Sequence, residues 1–510
     1  MKLSFLSVIL ALTVYSALAV PKQVKPRRTS SLLIHPAGLP PLPRPQLSAR
    51  ISTASADDGL DVNDIQGDIL IGMTKVKQSF FFFGIEDAAT FKSKLGSDIQ
   101  PLVTNINQLL SVDTQPVTAV NIAFSKTGLD ALGITDDLGE TLFNNGQFAD
   151  ATALGDVISN WIPDFAGTRV HGVILLASDT DDNINDQLAS IQSILGDSIS
   201  EIHRVDGATR PGDQAGHEHF GFLDGIGQPA VEGFTQDVLP GQAVIAPGEF
   251  LLGTSGDATV RPDWAVGGSF LAFRLMQQKV PEFAKFVLDH ALNEPSLSEE
   301  ENTDLFGARL VGRWKSGAPI DLAPLRDDPE LGADPNRNSN FTFDHPDVPG
   351  FAIATNQTDC PFSAHLRKVR PRLDFGKEET AHHMLRSGIT FGPEVTDEER
   401  ASNKSSTDPS LERGIAFTAY QSSLTNGFHF VQMAWVNNAN FFFGKAIPPG
   451  VDPIIGRVAG TAPETPRIIS GTNPLNSSEL FSLDTEFVIN HGGEYFFTPP
   501  ISALSGKLAN

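Results

Sequence analysis

The chain has a single cysteine, Cys360, so no disulfide can form within it and stability must come from a packed core. It has three tyrosines against thirty-five phenylalanines. Drift within a Phe-filled core accounts for that imbalance most simply. The alternative is that few phenols remain to be oxidised at random, as suits a protein that makes radicals. Basic residues are also short: 37 Lys and Arg face 61 Asp and Glu, a formal charge of −24. That balance argues against nucleic acid or an anionic membrane as a partner. No apolar run after the first twenty residues is long enough to span a bilayer.

The first residues are distinctive. Lys2, the apolar run Leu3 to Val14 and the small-x-small triplet Ala17-Leu18-Ala19 read as a signal peptide over residues 1–19. Residues 20–56 are rich in Pro, Arg and Ser, contain no acid and lack periodicity, as expected of a pro-segment, either removed with Arg50 or its surroundings as a processing site or kept as an untrimmed arm. Loss of residues 1–56 takes away seven cations and no acid, moving the formal charge from −24 to −31. The expectation is a secreted, extracellular protein working at low pH. Sequons at Asn340, Asn356, Asn403 and Asn476 suit such a chain.

Beyond residue 56, strands and helices alternate. Phe80–Ile85, Val117–Phe124, Val170–Ala177 and Ile199–Val205 read as strands. Between them Ala88–Leu95, Ile99–Leu110, Thr127–Leu132 and Asn183–Leu195 carry helical spacing. The pattern recurs downstream, with strands at Gly267–Leu275 and Gly414–Tyr420 and helices at Glu282–Leu292 and Thr303–Trp314. Phe428, Val431 and Trp435 share one helix face, and Leu325–Gly350 reads as a long loop. This alternation argues for an α+β or α/β sheet layered with helices. The run NFFFG at Asn440–Gly444 echoes FFFFG at Phe80–Gly84 and hints at two related halves divided near residue 245.

Chemistry concentrates in four places. His217–Ala230 (HEHFGFLDGIGQPA) crowds two imidazoles, two carboxylates and three glycines together. Glycine there permits close approach and unusual dihedrals, which would aim Asp224 into an apolar pocket. Cys360–Arg372 (CPFSAHLRKVRPR) sets His365 before four cations, Arg367, Lys368, Arg370 and Arg372, out of character for so acidic a chain. A dianionic ligand beside an imidazole explains both, and haem, with an axial histidine and two propionates, meets that description. Arg386 lies in an apolar setting where a lone guanidinium would be costly. Asp452 could accept the second ring N–H of an axial histidine.

On these segments the chain resembles the dye-decolorizing peroxidases. Gly221-Phe222-Leu223-Asp224-Gly225 matches the family's Gly-x-x-Asp-Gly motif. His365 matches its proximal haem ligand, Arg386 its distal arginine, Ile415 and Phe417 its apolar distal pair, and Asp452 the carboxylate behind the histidine. The resemblance implies an α+β fold of two ferredoxin-like halves, each an antiparallel β-sheet packed with helices, as in a dimeric α+β barrel. Those halves are expected at residues 57–245 and 246–510, with one haem b per chain in the second. It further implies that hydrogen peroxide oxidises dyes, phenols and other aromatic compounds in one-electron steps through a ferryl intermediate. Asp224 and Arg386 would be catalytic, with Arg372 holding the cofactor. The sequence departs from some members at Phe391, where they carry a surface tyrosine. Trp435 stands where others use a surface radical site, although its spacing equally suits a core residue.

Two other readings compete. A haem carrier or iron-release protein on the same fold would need His365 and the cations but not Asp224 with Arg386. A metallohydrolase would be built on His217, Glu218, His219 and Asp224, yet His-x-His without a third ligand nearby is weak. His382 and His383 are expected to pack or cap, and His171 to be structural.

Overall fold

The computed structural model describes residues 60–73, 76–110, 114–462 and 465–510. The signal and pro-segment expectations, residues 1–56, lie outside them. Nine strands form one sheet: β1 (Lys77–Ile85), β2 (Ala119–Ser125), β3 (Gly172–Ser178), β4 (Ile199–Ala208), β5 (Ser269–Gln278), β6 (Leu385–Arg386), β7 (Ile389–Phe391), β8 (Gly414–Gln421) and β9 (Val488–Thr498). Their order is β5-β9-β2-β3-β1-β4-β7-β8-β6, and β8 also pairs with β5, which closes the sheet into a barrel. Every pairing is antiparallel.

The closed sheet contains one topology twice. Among the first four strands the order is fourth, first, third, second. Among the later ones β9, β5, β8 and then β7 with β6 repeat it. The fold is α+β, an antiparallel sheet with helices packed on it. The counterpart of β1 is therefore β5. The NFFFG echo is not that counterpart: Asn440–Gly444 lies in turns, with Phe443 74 % exposed.

The phenylalanine runs follow from this architecture. A strand covered on both faces need not alternate apolar with polar. In β1, Phe80 and Phe82 enter the barrel, where Phe82 meets Phe273 of β5 at 4.8 Å between ring centroids. Phe81 and Phe83 turn outward to a second core with Phe91, Leu95 and the helix α1 (Asp181–Leu195), which presents Ile184, Leu188, Ile191 and Leu195. Thr180 caps that helix by accepting from the Asn183 N–H.

Two expected helices differ from their spacing. Ile99–Leu110 does not form one helix: Pro101 sits in a 3-10 turn over Gln100–Leu102, and the helix proper runs only over Ile106–Leu110. Proline supplies no N–H to continue the ladder, and Asn105 restarts it by accepting from the Gln108 N–H. The Phe428 segment begins as an α-turn over Phe428–Phe430 and widens to a π-turn over Val431–Val436. Phe428, Val431 and Trp435 are all buried, as the spacing expects.

The barrel also buries an acid that favours its neutral form. Glu494 on β9 accepts from the Gln147 and Tyr495 N–H groups through one oxygen, Oε1. Burial pushes its carboxyl up to about 7. A carboxyl raised on folding adds stability that is complete below its unfolded range and lost as pH rises through the folded value. Glu494 should therefore withdraw about 3 kcal/mol of stability between roughly pH 4.3 and 7, against the opposite slope of His219 and His383, which burial holds down at about 4 and about 3. In thermal melts across that range, stability of Glu494→Gln should rise more steeply with pH, or fall less, than that of the unsubstituted protein, and an unchanged slope would refute the assignment.

Candidate active site

The loop carrying Asp224 is built around a second buried carboxylate. Glu218 accepts from the Phe220 and Phe222 N–H groups at 2.8 Å each, and from the Gln278 amide of β5. Burial, opposed by those donors, raises it to about 7. The two bonds fold the glycine-rich stretch back on Glu218, with Gly221 at φ +96° and Gly225 at φ +81°. Phe220 and Phe222 pack on Phe283 of helix α2 (Val280–Asp289). Asp224, anchored through its N–H to Gly216 C=O at 3.1 Å, lines a cavity. Arg386 at the end of β6 brings Nη1 to 3.5 Å from Asp224 Oδ1.

His365 opens a short helix, α4 (His365–Val369), which follows the longer α3 (Glu299–Val311) in the chain. Its Nδ1 donates to Asp452 Oδ2 at 2.7 Å. Asp452 is fully buried, and its other oxygen accepts from the Ile454 and Ile455 N–H groups at 2.8 and 3.0 Å. Burial works against charge on both partners, lowering the imidazole and raising the carboxyl. Their mutual attraction and hydrogen bond overcome it, so His365 ends above its ordinary value and Asp452 below. With Nδ1 committed, Nε2 is the nitrogen left to the cavity that His365 lines.

One cavity thus gathers Asp224, Arg386, His365, Arg372, Phe417 and Trp435, residues scattered over more than two hundred positions. It encloses about 1220 Å³, part of it open to solvent. Phe417 belongs to its wall. Ile415 shares the same face of β8 two residues away but lies outside that wall. Trp435 contributes to the wall from the interior: it is 1 % exposed, stacked on Phe441 at 5.2 Å, and so is not a surface ring.

The four-cation cluster divides in two. Arg367 pairs with Asp374 at 2.6 Å and Lys368 donates to the Asn438 and Phe441 carbonyls, so both are structural. Only Arg370 and Arg372 reach the cavity, and Arg370 is paired with Glu379 at 2.6 Å. Arg372 donates Nη1 to the Gly241 and Phe341 carbonyls and leaves Nε buried without a partner. Arg313, just after α3, also lines the cavity and is held by the Gly317 and Asn338 carbonyls. A lone arginine in VGRWK gave no sequence signal. Neither Arg313 nor Arg372 forms an ion pair among the described residues, and burial pulls each down to about 9.

These features fit haem. No group of three or more His, Cys, Asp or Glu that could hold a metal ion occurs among the described residues, so iron held by His365 would take its remaining ligands from outside those side chains, as a macrocycle supplies them. The cavity is walled largely by apolar side chains, and two arginines without carboxylate partners suit two propionates. The carboxylate–histidine pair supplies the usual support behind a metal-binding imidazole. The alternative cluster at His217 does not assemble as a metal site. Glu218 is spent on backbone N–H groups, and His219 Nε2 donates to the Phe391 carbonyl at 2.9 Å.

The remaining histidines are structural in their contacts. His171 Nδ1 accepts from the Ile85 N–H at 2.9 Å. His382 and His383 border the cavity while donating to the Asn426 and Glu379 carbonyls. Of the sequon asparagines, Asn340, Asn403 and Asn476 are exposed and Asn356 is half-buried.

Beneath α4, Asp374 holds both Arg367 and Lys445. Asp374→Asn leaves two buried cations uncompensated and should cost about 3–5 kcal/mol. Chemical denaturation measures it; a loss under about 1 kcal/mol would show the pair is not structural.

Comparison with known proteins bears on the whole chain. The family described as "DyP dimeric alpha+beta barrel domain" matches residues 64–211. The dye-decolorizing peroxidase msp1 of Mycetinis scorodonius is 58 % identical over 95 % of this chain and 94 % of its own length. The dye-decolorizing peroxidase AauDyP1 of Auricularia auricula-judae is 53 % identical over 96 % of this chain and 94 % of its own. A crystal structure of a decolorizing peroxidase from the latter organism superposes with a TM-score of 0.84 at 54 % identity, covering 88 % of this chain and 100 % of that one. With relatives this similar over almost its entire length, and with the closed α+β barrel just described, the chain belongs to the dye-decolorizing peroxidase family.

Proposed function

We propose that this protein is a secreted haem b peroxidase, one haem per chain, that uses hydrogen peroxide to oxidise dyes, phenols and related aromatic compounds. The observation that carries the reading is the meeting, in one cavity, of the Asp224–Arg386 pair and the Asp452-backed His365. Bound haem supplies the iron that receives peroxide and stores its two oxidising equivalents.

The chain's residues do the rest. His365 would hold the haem iron through Nε2, the nitrogen left free to the cavity. Asp452 fixes the tautomer by taking the Nδ1 proton's hydrogen bond, and its charge makes the imidazole a stronger donor. Arg372 and Arg313 would hold the propionates. Asp224, as the carboxylate, takes a proton from one peroxide oxygen and returns it to the other, so that water can leave. Arg386, with Nη1 3.5 Å from Asp224 Oδ1, would stabilise charge that develops as the O–O bond breaks. A carboxylate needs less base than an imidazole to stay ionised, which suits activity at acidic pH.

Secretion rests on residues 1–19 and glycosylation on the four sequons. N-terminal sequencing and endoglycosidase mass shifts of the exported protein test both.

A haem carrier on this fold is the second reading, since a deferrochelatase of Shigella flexneri is 25 % identical over 56 % of this chain. Haem transport has no use for the Asp224–Arg386 pair. Asp224→Asn should keep the Soret band and slow the reaction with peroxide by roughly 10²–10⁴-fold in stopped flow. Near-normal rates would remove Asp224 from the mechanism. A purified protein reconstituted with haem that shows no Soret band would end the haem reading altogether.

A further inference from the structure

Arg386 sits at a sheet edge. Strand β6 pairs with β8 through Arg386–Ala419 and Leu385–Tyr420, and the next residue, Ser387, donates its N–H to Thr418 C=O at 3.0 Å. Alternation along an antiparallel ladder then turns the N–H and C=O of Arg386 away from β8. Among the described residues no strand covers that side, because β6 ends the sheet. One side chain does. Gln228 Oε1 accepts from the Arg386 N–H at 3.2 Å, and Gln228 Nε2 donates to the Arg386 C=O in a short bond. A primary amide offers the same donor–acceptor pair as the peptide edge of a missing strand.

Gln228 is buried and lies four residues after Asp224 in the same loop. Two of the three residues between them are glycines, which give the loop little stiffness of its own. A Cβ built on Gly227 would lie 3.9 Å from Arg386 Nη2, so the loop runs beside the guanidinium. The direct Asp224–Arg386 contact is long, at 3.5 Å, between side chains that are 52 % and 35 % exposed. A contact of that kind is too weak to set its own geometry.

We propose that Gln228 is a positioning residue for the peroxide step. It registers the Arg386 backbone against the Asp224 loop and so sets the approach of guanidinium to carboxylate. The proposal rests on the peroxidase reading of the site.

Gln228→Glu and Gln228→Leu test it in the holoenzyme. A protonated carboxyl has an O–H donor and a C=O acceptor, which is the amide's pattern; an ionised one has no donor. The charged groups around this position are Arg386, Asp224 and Asp68, the last sharing a small recess with Gln228 and Arg386. At acid pH the introduced carboxyl is protonated and can make both bonds; as pH rises it ionises and loses the donor. The ratio of the Gln228→Glu to the unsubstituted peroxide rate should be near one at acid pH. It should fall about tenfold or more as pH rises. Gln228→Leu should lose about tenfold at every pH and bind cyanide to the ferric form with altered affinity, at unchanged haem content.

A ratio flat with pH, together with a Gln228→Leu rate within about twofold of the unsubstituted protein, overturns the proposal. If Gln228→Leu fails to fold or to hold haem, the pH dependence of the Gln228→Glu ratio decides alone, because acid rebuilds both bonds. Absence of a Soret band or of any peroxide reaction in the unsubstituted protein would instead sink the functional reading, a result distinct from a flat ratio.

Discussion

Strand β8 has to satisfy two edges, and the rest of the molecule is arranged around that requirement. One edge pairs with β5 over eight residues, and the other takes β7 and β6 in turn. The first pairing closes the barrel and leaves no long unpaired edge there, the usual liability of an antiparallel sheet. It also fixes which side chains face which way. Ala416 and Tyr420 point into the barrel core, while Phe417 points out to the cavity. A slip of one residue would reverse that choice and bury Arg386's neighbours on the wrong face.

Charge is the second constraint. In a chain of formal charge −24, half of the buried cations among the described residues are matched to acids: Arg413 with Glu399, Arg261 with Asp257, Arg274 with Asp156, Arg367 with Asp374 and Arg457 with Glu486. Burying such groups without a partner is expensive. Arg309, Arg467 and Lys368 are held by carbonyls instead. Arg313 and Arg372 likewise have no acid partner among the described residues, and both face the cavity that His365 lines. An acidic protein that keeps two uncompensated guanidinium groups together has a local preference for a dianion that its surface does not share. His365 shows the opposite case, since its carboxylate partner lies behind it and leaves the front nitrogen uncommitted.

The sequence was most legible where one physical rule acted alone. Continuous apolar runs became strands because both faces of the sheet are covered. The spacing of Ile184, Leu188 and Ile191 became a helix face because nothing nearby competed with it. Legibility failed where partners came from far along the chain. Arg367 and Lys368 looked like ligand-binding cations, but Asp374 and the carbonyls of Asn438 and Phe441 claim them. Arg313 was invisible because its isolation from acids is a fact of three dimensions. The echo between Phe80–Gly84 and Asn440–Gly444 failed because similar composition does not carry similar pairing; β5, which repeats the topology of β1, resembles it only as a buried strand.

The scarcity of tyrosine gains a physical meaning from burial. Both tyrosines among the described residues are fully buried, and each donates its hydroxyl to a carboxylate: Tyr420 to Asp68 at 2.9 Å and Tyr495 to Asp150 at 2.6 Å. Burial and the neighbouring acids raise both phenols well above their ordinary value. Phe391 offers no hydroxyl, and Trp161, Trp314 and Trp435 are buried. The two phenols therefore act as hydrogen-bond anchors of the barrel: Tyr420 ties β8 to the short helix Gly67–Ile71, and Tyr495 ties β9 to the segment around Asp150. No tyrosine lines the cavity among the described residues; its aromatic wall is Phe417, Phe428 and Trp435. The two phenols that the barrel needs for its hydrogen bonds sit where reductants in solution cannot reach them.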